Sequence, residues 1–268
     1  MTKHRFAVIA LALLSPGGVA QAHAETSPSP REIMEKVTLT RKLDGSEAVV
    51  KMTVMDDKKQ ARERDITMAT KLYDGGKTEK RIYRFLSPAD VQGTSVLVFD
   101  YEAKADDVWI FLPALRKTRR IVSSQKTQSF MGSEFSYGDL NIPAIDDFDY
   151  KLVNQEPFGG EACYVIDATP KSKEIAESEG YSKKTYWVSK DKFAVMRGLF
   201  YDKDGKLLKE LITGNIKLLD AKNKRYRPMH MEMINKQNGR KSVFDSSKVT
   251  FAPNTKDEYF TTAYRERS

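Results

Sequence analysis

The stretch DVWIFLPALRKTRRI, residues 107–121, sets Trp109, Phe111, Leu112 and Leu115 directly beside Arg116, Lys117, Arg119 and Arg120. Guanidinium groups hold phosphate or carboxylate through paired hydrogen bonds, and lysine adds a compact point charge. A wall of large apolar side chains next to such a cluster suits an amphiphile, with hydrocarbon on the wall and an anionic head group on the cations. The competing reading is a solvated basic edge strand that keeps sheets from joining edge to edge. The residues by themselves leave both open. A second candidate is PMHMEMIN, residues 228–235, where Met229, Met231 and Met233 fall on one face of a strand. Thioether side chains are flexible and polarizable and accept varied apolar shapes, but they also fill ordinary core gaps.

The N-terminus assigns a compartment. Lys3 and Arg5 precede the apolar run FAVIALALLSPGGVA, and Ala22 and Ala24 occupy the positions that a signal peptidase reads. Residues 1–24 are expected to be a cleaved secretory signal, with cleavage after Ala24, leaving 25–268 as one periplasmic domain. No cysteine stands at the cleavage site to carry a lipid anchor. The formal net charge is +8, and loss of Lys3 and Arg5 leaves the chain basic. Such a balance in a cytosolic protein would suggest nucleic acid. Export argues for no nucleic-acid partner, and for transient contact with an anionic lipid or membrane surface.

Catalytic and metal chemistry finds little support. His4 and His23 leave with the signal, so His230 is the one imidazole of the expected mature chain. No histidine pair or Cys/His cluster is available for zinc, and no G-x-S-x-G turn for a nucleophilic serine. Cys163, the sole cysteine, lies in the apolar run EACYVIDAT and reads as a buried, inert thiol. YDKDGK begins like a calcium loop, but the later ligands are missing and a hairpin turn explains its Asp-Gly. DDFD, residues 146–149, has no partner that sequence can show. The expectation is a protein that is not an enzyme and has no cofactor and no metal site.

The elements that must position these residues are mostly strands. Ser29, Pro30 and Glu32 form a capping-box start, and Ile33, Met34 and Val37 share a face, which predicts a helix over about 30–40. Beyond it the apolar period becomes two, and Asp-Gly and Asn-Gly turns punctuate the chain. Eleven or twelve short strands in an antiparallel meander are expected, forming a mostly β fold with one large curved sheet. Two strands break the usual apolar-in, polar-out alternation. Val96 and Val98 oppose Leu97, Phe99 and Tyr101; Val108, Ile110 and Leu112 oppose Trp109 and Phe111. Both faces therefore need cover, or one lines a cavity. Residues 123–146 interrupt the pattern with Phe130, Phe135 and Tyr137, a long insertion of the kind that often carries function. The tail, NTKDEYFTTAYRERS, is expected to add a turn and fray.

FLSPADVQGTSVLVFDY, DDVWIFLPALRKTRRI and SFMGSEFSYGDL, in this order, resemble the LolA-like family of outer-membrane lipoprotein-sorting proteins. The nearest branch is associated with transporters of the resistance-nodulation-division (RND/MMPL) type. The resemblance implies a half-open antiparallel barrel covered by few short helices and loops, with an apolar cavity for acyl chains and no catalysis. It puts Trp109, Phe111, Leu112 and Leu115 in or beside the cavity wall, and Phe130, Met131, Phe135 and Tyr137 at its mouth or lid. The function it implies is a periplasmic carrier of lipid or lipoprotein acyl chains that works with an inner-membrane RND/MMPL-type transporter. The alternative is an accessory protein of such an exporter that acts through protein contact and carries no lipid.

Overall fold

A computed structural model describes residues 27–122, 125–141 and 144–266; the expected signal segment lies outside them. Helix α1 (Pro30–Arg41) begins as the sequence predicts. The Glu32 amide donates to Ser29 Oγ at 3.2 Å, and the Ser29 amide donates to the Glu32 carboxylate at 2.7 Å. Each bond satisfies an amide that the helix itself cannot. Ile33, Met34, Val37 and Thr40 are buried at helical spacing, so one stripe of α1 lies against the sheet.

Strands β1 (Gly45–Met55), β2 (Ala61–Tyr73), β3 (Thr78–Ser87), β4 (Ser95–Tyr101), β5 (Asp107–Leu112) and β6 (Lys117–Ile121) form one antiparallel meander. A second comprises β7 (Phe148–Phe158), β8 (Glu161–Pro170), β9 (Lys183–Ser189), β10 (Val195–Tyr201), β11 (Leu207–Asp220), β12 (Arg225–Asn235) and β13 (Lys241–Phe251). Pairing of β1 with β13 joins them into a single 13-stranded sheet, curved but not closed, with β6 and β7 as its edges. Gly45, at the start of β1, sits where a Cβ would lie 2.1 Å from the Ala252 carbonyl oxygen, and its own carbonyl accepts the Ala252 amide. This close approach at the seam requires glycine. β6 is the strand that the alternation did not predict: every residue but Ile121 is exposed, so no inward apolar face marks it.

Consecutive strands β6 and β7 lie at opposite edges, so the segment between them must cross the open side of the sheet. The long insertion is that segment. It carries short 3-10 turns at Phe130–Gly132 and Gly138–Leu140. The insertion and α1 together cover the inner face. Beneath them lies the main core, which includes Val50, Met52, Ile66, Phe85, Val96 and Phe244.

The outer face has cover of its own. The tail does not simply fray. A 3-10 turn (Asp257–Phe260) and helix α3 (Thr262–Arg265) dock on β2–β5. Phe260 is buried with Ala69, Ile82 and Leu97, while Phe99, Trp109 and Tyr264 pack around them. Ser95 Oγ donates to the Arg265 carbonyl at 2.8 Å. Three aromatics in DEYFTTAY supply the apolar area that makes docking favourable. Helix α2 (Lys173–Glu179) was not legible because it buries no residue and so shows no apolar stripe.

Candidate functional site: a cavity between the inner face and its cover

A cavity of about 210 Å³ lies between the inner face, α1 and the insertion. Its apolar part is built by alternation. Tyr83 of β3, Val50 of β1, Phe244 of β13 and Met229, Met231 and Met233 of β12 all point inward and line it. From above, Met34 and Val37 of α1 and Phe130 and Phe135 of the insertion complete the lining. Phe130 is fully buried; its ring meets those of Tyr83, Tyr137 and Phe244 edge-on, and Phe135 stacks on Phe244 at 4.6 Å between centroids.

Polar contacts pin the insertion in place. Asp139 accepts from the Tyr181 hydroxyl at 3.0 Å and lies 3.4 Å from Lys209 Nζ. Glu134 accepts from Asn235 Nδ2 at 3.0 Å, and its amide donates to Ser242 Oγ at 2.9 Å. Arg64 donates to the Met131 carbonyl and Arg81 to the Leu140 carbonyl. The backbone of an irregular segment needs such partners wherever water is excluded.

The other end of the cavity is charged. Glu79 and Arg81 of β3 point to the same side as Tyr83, and Glu79 faces Asp100 across the β3–β4 ladder. Two carboxylates so placed repel unless a cation intervenes. Arg81 Nη2 does so, at 2.9 Å from Asp100 and 3.3 Å from Glu79. Arg227 of β12 reaches Glu79 at 3.4 Å. Arg41, in the last turn of α1, lines the same end and makes no side-chain hydrogen bond or ion pair among the described residues. The Nε atoms of Arg81 and Arg227 are buried without a hydrogen-bond partner among the described residues.

The protonation of this group follows from burial and charge. Burial drives Arg41 below its ordinary pKa, and Arg227 and Arg81 push it the same way against the weaker pull of Glu79 and Asp100. Arg227 is also lowered, by burial first, with Glu79 opposing and Arg81 adding. Burial would lower Arg81, but Glu79 first, then Tyr83 and Asp100, together outweigh it and raise this group. Burial would raise Glu79, yet Arg81, Arg227 and Arg41 together hold its carboxyl below the usual range. Across the cavity, Lys184 is buried in an ion pair with Glu179 at 2.6 Å.

Of the residues proposed from sequence, Phe130, Phe135, Met229, Met231 and Met233 line the cavity, while Tyr137 packs on Phe130 behind it. Met131 is partly buried against the main core outside the lining, and Leu112 likewise. Trp109, expected in the wall, lies on the outer face against Phe99 at 5.1 Å between centroids. Phe111 shares that parity and is buried outside the lining. Leu115 is 62% exposed in the turn before β6. Arg116, Lys117, Arg119 and Arg120 are exposed on or beside the edge strand, away from the lining, and Arg120 pairs with Asp107. Wall and cations adjoin in sequence, but β5 and β6 sit at the sheet margin, where alternation sends Trp109 and Phe111 outward.

Sequence reasoning missed Arg41, Glu79, Arg81 and Arg227. A signal existed in each case. Glu79 and Arg81 share strand parity with Tyr83 and Phe85, Arg227 with Met229, and Arg41 follows Met34 and Val37 at helical spacing. A charge on an otherwise apolar stripe marks a buried polar site. His230 pairs with Asp245 at 2.7 Å, and no cluster of metal-holding side chains occurs among the described residues. No helix among them is long and apolar enough to cross a membrane.

A family model described as that of an uncharacterized protein matches residues 77–267. No curated protein matches the chain. Among solved structures, an outer-membrane lipoprotein-sorting protein domain from Vibrio parahaemolyticus is similar at 29% identity and a TM-score of 0.80, over 89% of this chain and 98% of that one. A DUF1329 family protein from Desulfovibrio piger reaches 28% and 0.80 over 87% and 96%. A LolA superfamily protein from Nitrosomonas europaea shares the fold at 22% and 0.67, over 89% and 100%.

Proposed function

The chain belongs to the LolA-like family, and from that premise we propose that it is a non-catalytic periplasmic carrier that shields lipid or lipoprotein acyl chains from water. The observation that carries this reading is the cavity: an inner sheet face roofed by α1 and the insertion, with three methionines on its floor. Each buried CH₂ contributes roughly 0.8 kcal/mol, so hydrocarbon needs no directional contact to be held there. Size limits the cargo of this conformation. A cavity of ~150 Å³ takes a benzene, so about 210 Å³ takes part of one acyl chain. A full chain, or a triacylated anchor, requires α1 or the insertion to move outward.

Arg116, Lys117, Arg119 and Arg120 stand outside the lining, and we assign them to an anionic membrane surface or membrane partner met during transfer. An inner-membrane transporter of the RND/MMPL type is the partner that the family resemblance suggests.

Native mass spectrometry of gently purified protein tests the carrier reading. Co-purifying lipid adducts, or stoichiometric uptake of a fluorescent fatty acid, are expected. A protein that emerges bare and takes up no amphiphile in vitro overturns it.

A further inference from the structure

The cavity has a direction. β1, β3 and β12 run parallel to one another within the antiparallel sheet, and along each the inward residues pass from polar to apolar. β1 runs from Ser46 to Val50, β3 from Arg81 to Tyr83, and β12 from Arg227 through Met229 to Met233, all on the lining. Helix α1 lies in the opposite sense, with Met34 and Val37 over the apolar end and Arg41 in its last turn. Four elements thus agree on one polarity, and the polar end carries an imbalance. Among the described residues, three guanidiniums, Arg41, Arg81 and Arg227, meet two carboxylates, Glu79 and Asp100.

Resting on the carrier reading, we propose that the cavity binds a single-chain anionic amphiphile, its phosphate or carboxylate head group seated between Arg41 and Arg227 and its chain laid along the methionine stripe of β12. The head-group site is therefore inside the cavity rather than at the exposed cations of residues 116–120. An anion there supplies the missing negative charge. It gives Arg41 a partner and offers an acceptor to the orphaned Arg227 Nε. Planar guanidiniums suit the oxygens of phosphate or carboxylate. The shifts of Arg41 and Arg227 below their ordinary range, caused first by burial, agree with an excess of positive charge at this end of the cavity.

Titration calorimetry on the full exported chain tests this with three probes: dodecyl phosphate below its micelle concentration, dodecan-1-ol, and inorganic phosphate. Dodecyl phosphate is expected to bind at least tenfold more tightly than dodecan-1-ol, the scale of one charge-assisted hydrogen bond. Inorganic phosphate alone is expected to bind far more weakly than dodecyl phosphate. R41Q and R227Q should each reduce the preference for the phosphate ester about tenfold. Because Arg41 holds no partner among the described residues, R41Q keeps the test valid if R227Q misfolds. R41Q should leave the melting temperature of the empty protein unchanged or raise it, whereas a fall would assign Arg41 to a structural ion cluster and overturn the proposal. Equal affinity for alcohol and ester, or a preference that survives R41Q, also overturns it while leaving the carrier reading intact. Inorganic phosphate binding as tightly as the ester would make this a free-anion site and overturn it. Failure of both amphiphiles to bind removes the carrier reading and this inference together.

Discussion

Glu79 shows how much one side chain can decide. It is buried, faces another carboxylate across the ladder and is held by Arg81 and Arg227. Removing one member of a buried ion pair leaves the rest uncompensated, at a cost of about 3–5 kcal/mol. Glu79→Gln should lose stability of that order in urea unfolding at pH 7. The pH dependence has a definite sign, because the folded-state pKa of Glu79 is depressed. Its contribution is fully present above the unfolded value of roughly 4.3 and is lost as pH falls through the lower folded value. The gap between wild type and E79Q should therefore persist to about pH 4.3 and close below it; a constant gap down to strong acid would contradict the ion cluster. Phe130→Ala provides an apolar counterpart. The ring is fully buried against four other aromatics, and its loss should cost about 3–5 kcal/mol and loosen the insertion, read as faster hydrogen exchange in residues 125–141. Phe130 was legible in sequence as a large apolar side chain where disorder would not place one.

Among the elements, α1 was readable to within a residue of its end because its capping box is a local device, complete in neighbouring side chains. The strands were readable because alternation is local too. β6 was legible only as the competing reading of its cations, a solvated basic edge strand, since an edge strand without a buried face has no alternation to display. The tail was misjudged because its aromatics find their partners on β2–β5, far away in sequence. Truncation after Lys256 removes the turn and α3 and strips the outer face over Trp109. In a Trp187→Phe background, the emission of Trp109 should shift to longer wavelength and the melting temperature should fall. An unshifted spectrum would show that the tail does not cover Trp109.

At the scale of the whole molecule, the β1–β13 seam puts consecutive strands at opposite edges, so the chain must roof its own opening. That topology leaves the basic edge, residues 116–120, outside the roof. Reversing Lys117 and Arg119 to Glu, with the cavity untouched, should weaken sedimentation with anionic vesicles by about 1 kcal/mol or more per site at low salt, and the difference should shrink as ionic strength rises. Acyl-chain uptake in solution should be unaffected. If vesicle binding is unchanged, the edge cations are an aggregation guard of the kind edge strands often carry.

Sequence alone determined the class of fold, the helix start, most of the strands and which residues share each strand face, because capping, turn chemistry and period-two alternation act between near neighbours. It even recorded the double apolar character of β4 and β5. What it could not determine was which face becomes the inside. Trp109 and Phe111 are as apolar as Met231 and Met233, and only pairing of β1 with β13, together with the roof it forces, makes one face a cavity and the other a bed for the tail. The meeting of Arg41, Arg81 and Arg227 was likewise decided by tertiary structure. A helix end and two distant strands deliver them to one place, and the charge imbalance they create exists only there.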